Sequence, residues 1–187
     1  MEYELIRSQR KTIAAEIRAG RLIVRAPLRA TDRDIAGFLE KHRSWIETHM
    51  AKAQAQQQAA AGHRLSVQEL NELADKALRF IPERVAHYAP LVGVTYGRIT
   101  IRNQQTRWGS CSSKGNLNFN CLLMLTPPEV IDSVVVHELC HRKEMNHSAR
   151  FYAEVLRVFP EYRKWEKWLK DNGGALMAMM TAPNTEV

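Results

Sequence analysis

The chain has 187 residues, 45% hydrophobic and 25% charged, which suits one packed domain, or one domain with an appendage, and excludes disorder, collagen-like repeats and a coiled coil. No stretch approaches the roughly 18 consecutive apolar residues of a membrane span, and Met1-Glu2-Tyr3-Glu4 opens neither a basic nor an apolar leader, so a cytoplasmic protein with no membrane partner is expected. A net charge of +7, from 27 Lys and Arg against 20 Asp and Glu, permits phosphate-bearing or nucleic-acid partners without requiring them.

From Tyr3 to Arg25, short runs of β-branched residues break at Ser8-Gln9-Arg10 and Ala19-Gly20, a pattern of two or three antiparallel strands. Thr31 then caps a helix from about Asp32 past Trp45, broken once, with Ile35, Phe38, Leu39, Trp45 and Ile46 on its apolar side. Residues 51–62 are almost pure Ala and Gln with a closing Gly; lacking an apolar stripe, they read as an exposed helical spacer.

Ser66-Val67-Gln68-Glu69 has the form of a capping box, and it opens an amphipathic helix to about Tyr88. Strand-like alternation over Thr95–Arg102 and Asn116–Leu125 flanks a turn-forming segment, Gly109 to Gly115, which predicts a hairpin or meander. No acidic residue lies between Glu83 and Glu129, whereas Arg84, Arg98, Arg102, Arg107 and Lys114 do, so this stretch is cationic throughout. Pro128 suits the first turn of a helix through Leu139, with Glu129 and Asp132 near its positive end. Ser148 caps a further helix that Phe159-Pro160 ends, and a short helix around Tyr162, Trp165, Trp168 and Leu169 is expected to stop before Gly173-Gly174. The resulting division is 1–62 for the N-terminal strands, helix and spacer, 63–172 for a catalytic core, and 173–187 for a flexible tail. Cys111, Cys121 and Cys140, odd in number and without close pairing, are read as reduced thiols.

The chemistry concentrates in Val134-Val135-Val136-His137-Glu138-Leu139-Cys140-His141, an H-E-x-x-H motif on a predicted helix. The spacing of four puts both imidazoles on one face, able to reach a single zinc ion at about 2.1 Å, with the Glu138 carboxylate beside it to take a proton from a metal-bound water. A catalytic zinc commonly has three protein ligands, and His147 is the best third. On a straight helix His147 would lie about 9 Å beyond His141, so the helix must stop between Arg142 and Asn146, with Asn146 the residue best able to turn the chain. Glu144 and Glu154 are candidates to orient the ligand imidazoles. His42, His49, His63 and His87 sit among polar neighbours and read as surface residues, Cys140 as a small buried filler, and Met177, Met179 and Met180 as part of the tail.

Arg107-Trp108-Gly109-Ser110-Cys111-Ser112, Gly115-Asn116-Leu117 and Asn120, followed by the zinc motif with Asn146-His147-Ser148 and Phe151, resemble the YgjP-like metallopeptidase domain family, related to the SprT-like and WLM groups of minimal zinc peptidases. The resemblance spans about Leu65 to Leu169. It implies a zincin-like α+β core, a mixed sheet with an active-site helix, preceded here by an N-terminal β-hairpin or meander and helix. It also implies one zinc ion per chain held by His137, His141 and His147, with Glu138 as general base. Metzincins share the His137-to-His147 spacing, but Glu144 stands where they have glycine, so that group is not the match. Trp108 reads as core capping, and Arg107 as a candidate substrate contact.

The leading expectation is therefore a zinc metallopeptidase acting on peptides or proteins. A second reading keeps the metal and uses the cationic stretch to hold a nucleotide or other phosphoanhydride. A third is a DNA-associated protease, although the sequence offers no zinc ribbon, helix-turn-helix spacing or aromatic-interleaved basic run. A closed structural zinc site is disfavoured because such sites usually have four protein ligands.

Overall fold

The computed structural model describes residues 2–18, 20–61, 64–104 and 106–180, and the chain divides into two compact units, Met1–Gly62 and His63–Val187. Among the described residues no helix is long and apolar enough to cross a membrane.

In the first unit β1 (Glu4–Ser8), β2 (Ala14–Arg18) and β3 (Arg21–Pro27) form a sheet in the order β1-β3-β2. The β2–β3 hairpin turns at Gly20, whose φ of 72° is one that L side chains rarely adopt. β1 departs from the antiparallel expectation, because it pairs with β3 in parallel. Ser8 aligns with Pro27 and Ala14 with Arg25, so residues 9–13 carry the chain across one end of β3 to its far side. Leu22, Val24 and Ala26 are buried against Ile35 and Ile46, which come from α1 (Asp32–Lys41) and α2 (Arg43–Ala61). Thr31 accepts from the Asp34 backbone while the Asp34 carboxylate accepts from the Thr31 backbone, a reciprocal cap at the start of α1. The expected single break falls at His42, and the Ala/Gln segment continues α2 to Ala61; its closing Gly62 lies outside the described residues.

The second unit begins with α3 (Val67–Val92), which Ser66 and Glu69 cap reciprocally and Gly93, at φ 77°, ends. It runs past Tyr88 because Ala89 and Val92 add two more buried contacts to its core face. β4 (Ile99–Arg102), β5 (Gly109–Cys111) and β6 (Leu117–Asn120) form a mixed sheet in the order β4-β6-β5, with β4 parallel and β5 antiparallel to β6. The hairpin is therefore β5–β6, and Gly109 to Cys111 is strand where a turn was expected. The second strand also ends early: the Asn120 carboxamide oxygen accepts from the Leu122 amide at 3.1 Å, and Cys121–Leu125 winds into a 3-10 helix that buries Leu122 and Leu123.

α4 (Pro128–Cys140) follows, with Pro128 in its first turn and buried residues on nearly every side. α5 (Ala149–Val158) starts at Ser148, whose hydroxyl accepts from the Phe151 amide at 3.2 Å. α6 (Tyr162–Ala178) corrects two expectations, a helix end before Gly173 and a flexible tail from 173 onward. Gly173 is buried inside the helix, and a Cβ there would stand 3.0 Å from Trp108 Cζ2, so the glycine admits an indole and does not stop the helix. Met177 likewise meets the Asn120 carboxamide at 3.8 Å, which places it on the core. Residues 181–187 lie outside the described residues. Helices packed about two small mixed sheets make the chain α+β.

Candidate metal centre

α4 presents His137, Glu138 and His141 to one side of the second unit, and the chain must then reverse to bring back His147. The helix stops at Cys140, and turns occupy residues 141–143, so the reversal starts ahead of the interval between Arg142 and Asn146. Arg142 fixes it by donating to the Thr95 carbonyl at 3.1 Å and the Ser113 carbonyl at 3.2 Å. Ser148 then closes a bend onto the Asn146 carbonyl at 2.8 Å and caps α5.

The three imidazoles converge. His137 Nε2 lies 3.2 Å from His141 Nε2 and 3.0 Å from His147 Nε2. Tetrahedral bonds of about 2.1 Å to one zinc ion would separate neighbouring nitrogens by about 3.4 Å, so these two spacings suit such an ion. Phe151, fully buried, supplies the floor, its ring centroid within 5.0 Å of all three imidazole centroids. His137 and His141 are half-buried and His147 is exposed, which leaves one side open to solvent.

The second ring nitrogens decide which tautomers are available. His141 Nδ1 lies 3.1 Å from the Glu144 carbonyl, which can only accept, so Nδ1 carries the proton and Nε2 keeps its lone pair. Glu144 thus contributes through its backbone. His137 Nδ1 lies 2.9 Å from the Tyr162 hydroxyl, which donates to Glu166 Oε1 at 3.1 Å and so accepts from the imidazole. Burial holds His137 down to about 3, with repulsion from His141 and His147 adding to it, and burial also lowers His141; both are neutral at physiological pH.

Glu138 is 5% exposed, and burial pushes its carboxyl up to about 8, partly opposed by the Arg107 guanidinium. Its side chain packs flat on β5, where a Cβ on Gly109 would stand 2.6 Å from Glu138 Oε1. A cavity of about 360 Å³ opens beside it, lined among others by Arg107, Trp108, His137, Tyr162 and Glu166. Arg107, named from the sequence, therefore reaches the same cavity as Glu138.

Other residues stay apart. Glu154 pairs with Lys143 and with Arg157, which hold its carboxyl down to about 2, and it touches none of the three imidazoles. His49 stacks on Trp45 and His42 caps α1, while His63 lies outside the described residues. Cys140 is buried with its thiol pushed up to about 12, the inert filler expected. Tyr162, Glu166 and the Phe151 floor carry no sequence signal of this role, since Tyr162 reaches His137 across 25 residues of chain.

The model of the family described as YgjP-like, metallopeptidase domain, matches residues 11–77 and 66–172, most of the chain. Two crystal structures of metallopeptidase zymogens are similar over about half of it. Abylysin of Pyrococcus abyssi is 22% identical with a TM-score of 0.45, the match covering 49% of this chain and 93% of that one. Jannalysin of Methanocaldococcus jannaschii is 21% identical with a TM-score of 0.44, covering 49% and 95%. No curated protein sequence matches.

Proposed function

Because the chain belongs to the YgjP-like metallopeptidase domain family, we propose that it is a zinc-dependent peptidase in which His137, His141 and His147 hold one zinc ion per chain and Glu138 is the general base. The observation that carries this reading is the approach of three imidazole nitrogens to within 4.8 Å of one another beside a buried carboxylate. When bound, the ion supplies an acidified water and a Lewis acid that polarises the scissile carbonyl.

The chain's own residues do the rest. Glu138, buried beside the metal ligands, takes the proton of the attacking water and returns it to the departing amine. Its contact with the β5 backbone keeps the carboxylate from swinging away. Tyr162 and the Glu144 carbonyl hold their imidazoles in the tautomer that leaves Nε2 free. Arg107 lines the cavity where substrate would lie. Three free thiols agree with a cytoplasmic setting for this chemistry.

Elemental mass spectrometry on protein purified without chelator, together with digestion of an unfolded protein substrate, tests the reading. About one zinc per chain, lost in His147→Ala, and proteolysis lost in Glu138→Gln with the metal retained, are the expected results. Failure to bind zinc when it is offered, or undiminished cleavage by Glu138→Gln, would overturn it.

A further inference from the structure

The cavity beside Glu138 carries two cations that form no ion pair among the described residues, although the Arg107 charge also acts on the buried Glu138 carboxyl. Arg107 and Lys170 both line it, both are exposed, and neither has an ion-pair partner there. The acidic residue at the same wall, Glu166, is already satisfied: Oε1 accepts from Tyr162 at 3.1 Å and Oε2 pairs with Arg163 at 2.9 Å. Glu138, the remaining acid, is buried, so the solvent-facing part of the cavity is cationic.

The backbone segments that bear the two cations are held by packing between distant parts of the chain. Asn120, buried on β6, donates to the Gln104 carbonyl at 2.6 Å and to the Arg107 carbonyl at 3.0 Å, and its own amide donates to the Trp108 carbonyl at 2.9 Å. This pins the loop that bears Arg107. Trp108 in turn seats on Gly173, three residues after Lys170 on α6, where a Cβ would stand 3.0 Å from the indole. The loop and the helix are thereby locked together with both cations on one cavity. Trp108, Val134 and Leu169 give the cavity apolar walls, and its volume of about 360 Å³ is at the small end for ligand pockets, which span roughly 300–1,000 Å³.

We propose that Arg107 and Lys170 form a carboxylate-binding subsite, so that the preferred substrates are peptides presenting an anionic carboxylate, from a C-terminus or an acidic side chain, close to the scissile bond. The inference rests on the peptidase reading above and names its substrate class. A guanidinium and an ammonium lining one cavity favour a carboxylate over its amide because charge-assisted hydrogen bonds are about twice as strong as neutral ones.

The test uses the zinc-loaded full chain and one peptide library in four matched forms: C-terminus free or amidated, and each Asp and Glu kept or replaced by Asn and Gln. Carboxylate members are expected to be cleaved with at least about tenfold higher kcat/KM than their amides. That ratio is expected to fall towards one in Arg107→Gln and in Lys170→Gln, and to be recovered in Arg107→Lys and Lys170→Arg. The pair of peptides that carries the preference identifies the source, C-terminus or side chain. Calorimetry with zinc-loaded Glu138→Gln repeats the comparison as binding, independent of turnover. Cleavage with no preference between carboxylate and amide, or a preference that survives both Gln substitutions, overturns the subsite and leaves the peptidase reading standing. If no peptide is cleaved and none binds Glu138→Gln, the peptidase reading fails and the subsite falls with it.

Discussion

Gly109→Ala is the sharpest perturbation of the proposed site, because it adds one methyl group at the surface on which the Glu138 side chain rests. The new Cβ would stand 2.6 Å from Oε1, 2.8 Å from Cγ and 2.9 Å from Cδ of Glu138. Ordinary contacts between carbon atoms lie at about 3.5–4.0 Å, so the overlap is close to 1 Å and one partner has to move. β5 cannot easily retreat, since Gly109 is in register with Phe119 of β6, which is 1% exposed. The carboxylate is therefore displaced, and a misplacement of about 1 Å at a reacting group costs on the order of 100-fold in rate. Overpacking of this kind also destabilises by about 1–3 kcal/mol. The three imidazoles stand on other residues, so zinc stoichiometry is expected to stay near one per chain while kcat falls about 100-fold. Parallel measurement of bound zinc, melting temperature and peptide hydrolysis separates these effects. Full activity from a Gly109→Ala protein that binds zinc and melts normally would refute the placement of the catalytic carboxylate against β5.

Tyr162→Phe removes the hydroxyl that holds His137 Nδ1 at 2.9 Å, and zinc affinity measured by chelator competition is expected to weaken by about 10-fold or more, with unchanged affinity refuting the role. Glu138→Gln acts on stability with a defined sign: its folded-state carboxyl sits at about 8 against an ordinary 4.5, so the native state keeps a proton that the unfolded chain has lost, and stability falls as pH rises across that window. The glutamine has no proton to lose, so metal-free Glu138→Gln is expected to exceed metal-free wild type by up to about 5 kcal/mol at pH 9 in denaturant titrations, and to match it below pH 4.5. His137, held down to about 3, contributes the opposite slope below 6.5 in both proteins and cancels in that difference. Asp132→Ala leaves Arg84 and Tyr88 without their common acceptor, and a loss of about 3 kcal/mol in unfolding free energy is expected; a loss below 1 kcal/mol would mean that the ion pair is idle.

The helix caps at Thr31, Ser66 and Ser148 were legible because each is decided within four residues of chain. The H-E-x-x-H motif was legible for the same reason, a helical spacing of four on an otherwise apolar run. Strand order was not: alternation assigns faces, whereas the parallel β1–β3 pairing depends on which side of β3 residues 9–13 cross to. Glycine misled twice, at Gly109 and Gly173. A glycine signals either a turn or a close approach, and only the neighbours across the fold, Glu138 and Trp108, tell which. Of the groups that orient the imidazoles, Glu144 was named from the sequence for its side chain but acts through its backbone carbonyl, and the tyrosine, from a separate helix, was hidden.

The helix that carries the metal motif poses a physical problem that its polar residues solve. α4 is buried along residues 130–136 and again at 138–140, so apolar burial alone would tolerate almost any rotation about its axis. A rotation of one residue, about 100°, would turn His137 and His141 away from His147. Asp132 removes the degeneracy from one side, accepting from Arg84 at 2.7 and 2.8 Å and from Tyr88 at 3.1 Å, all on α3. His137 removes it from the other by reaching Tyr162 on α6. Leaving either polar group without its partner in this interior would cost several kcal/mol, so only one rotation satisfies both. The apolar face thus secures the helix in the core, and two polar anchors aim it.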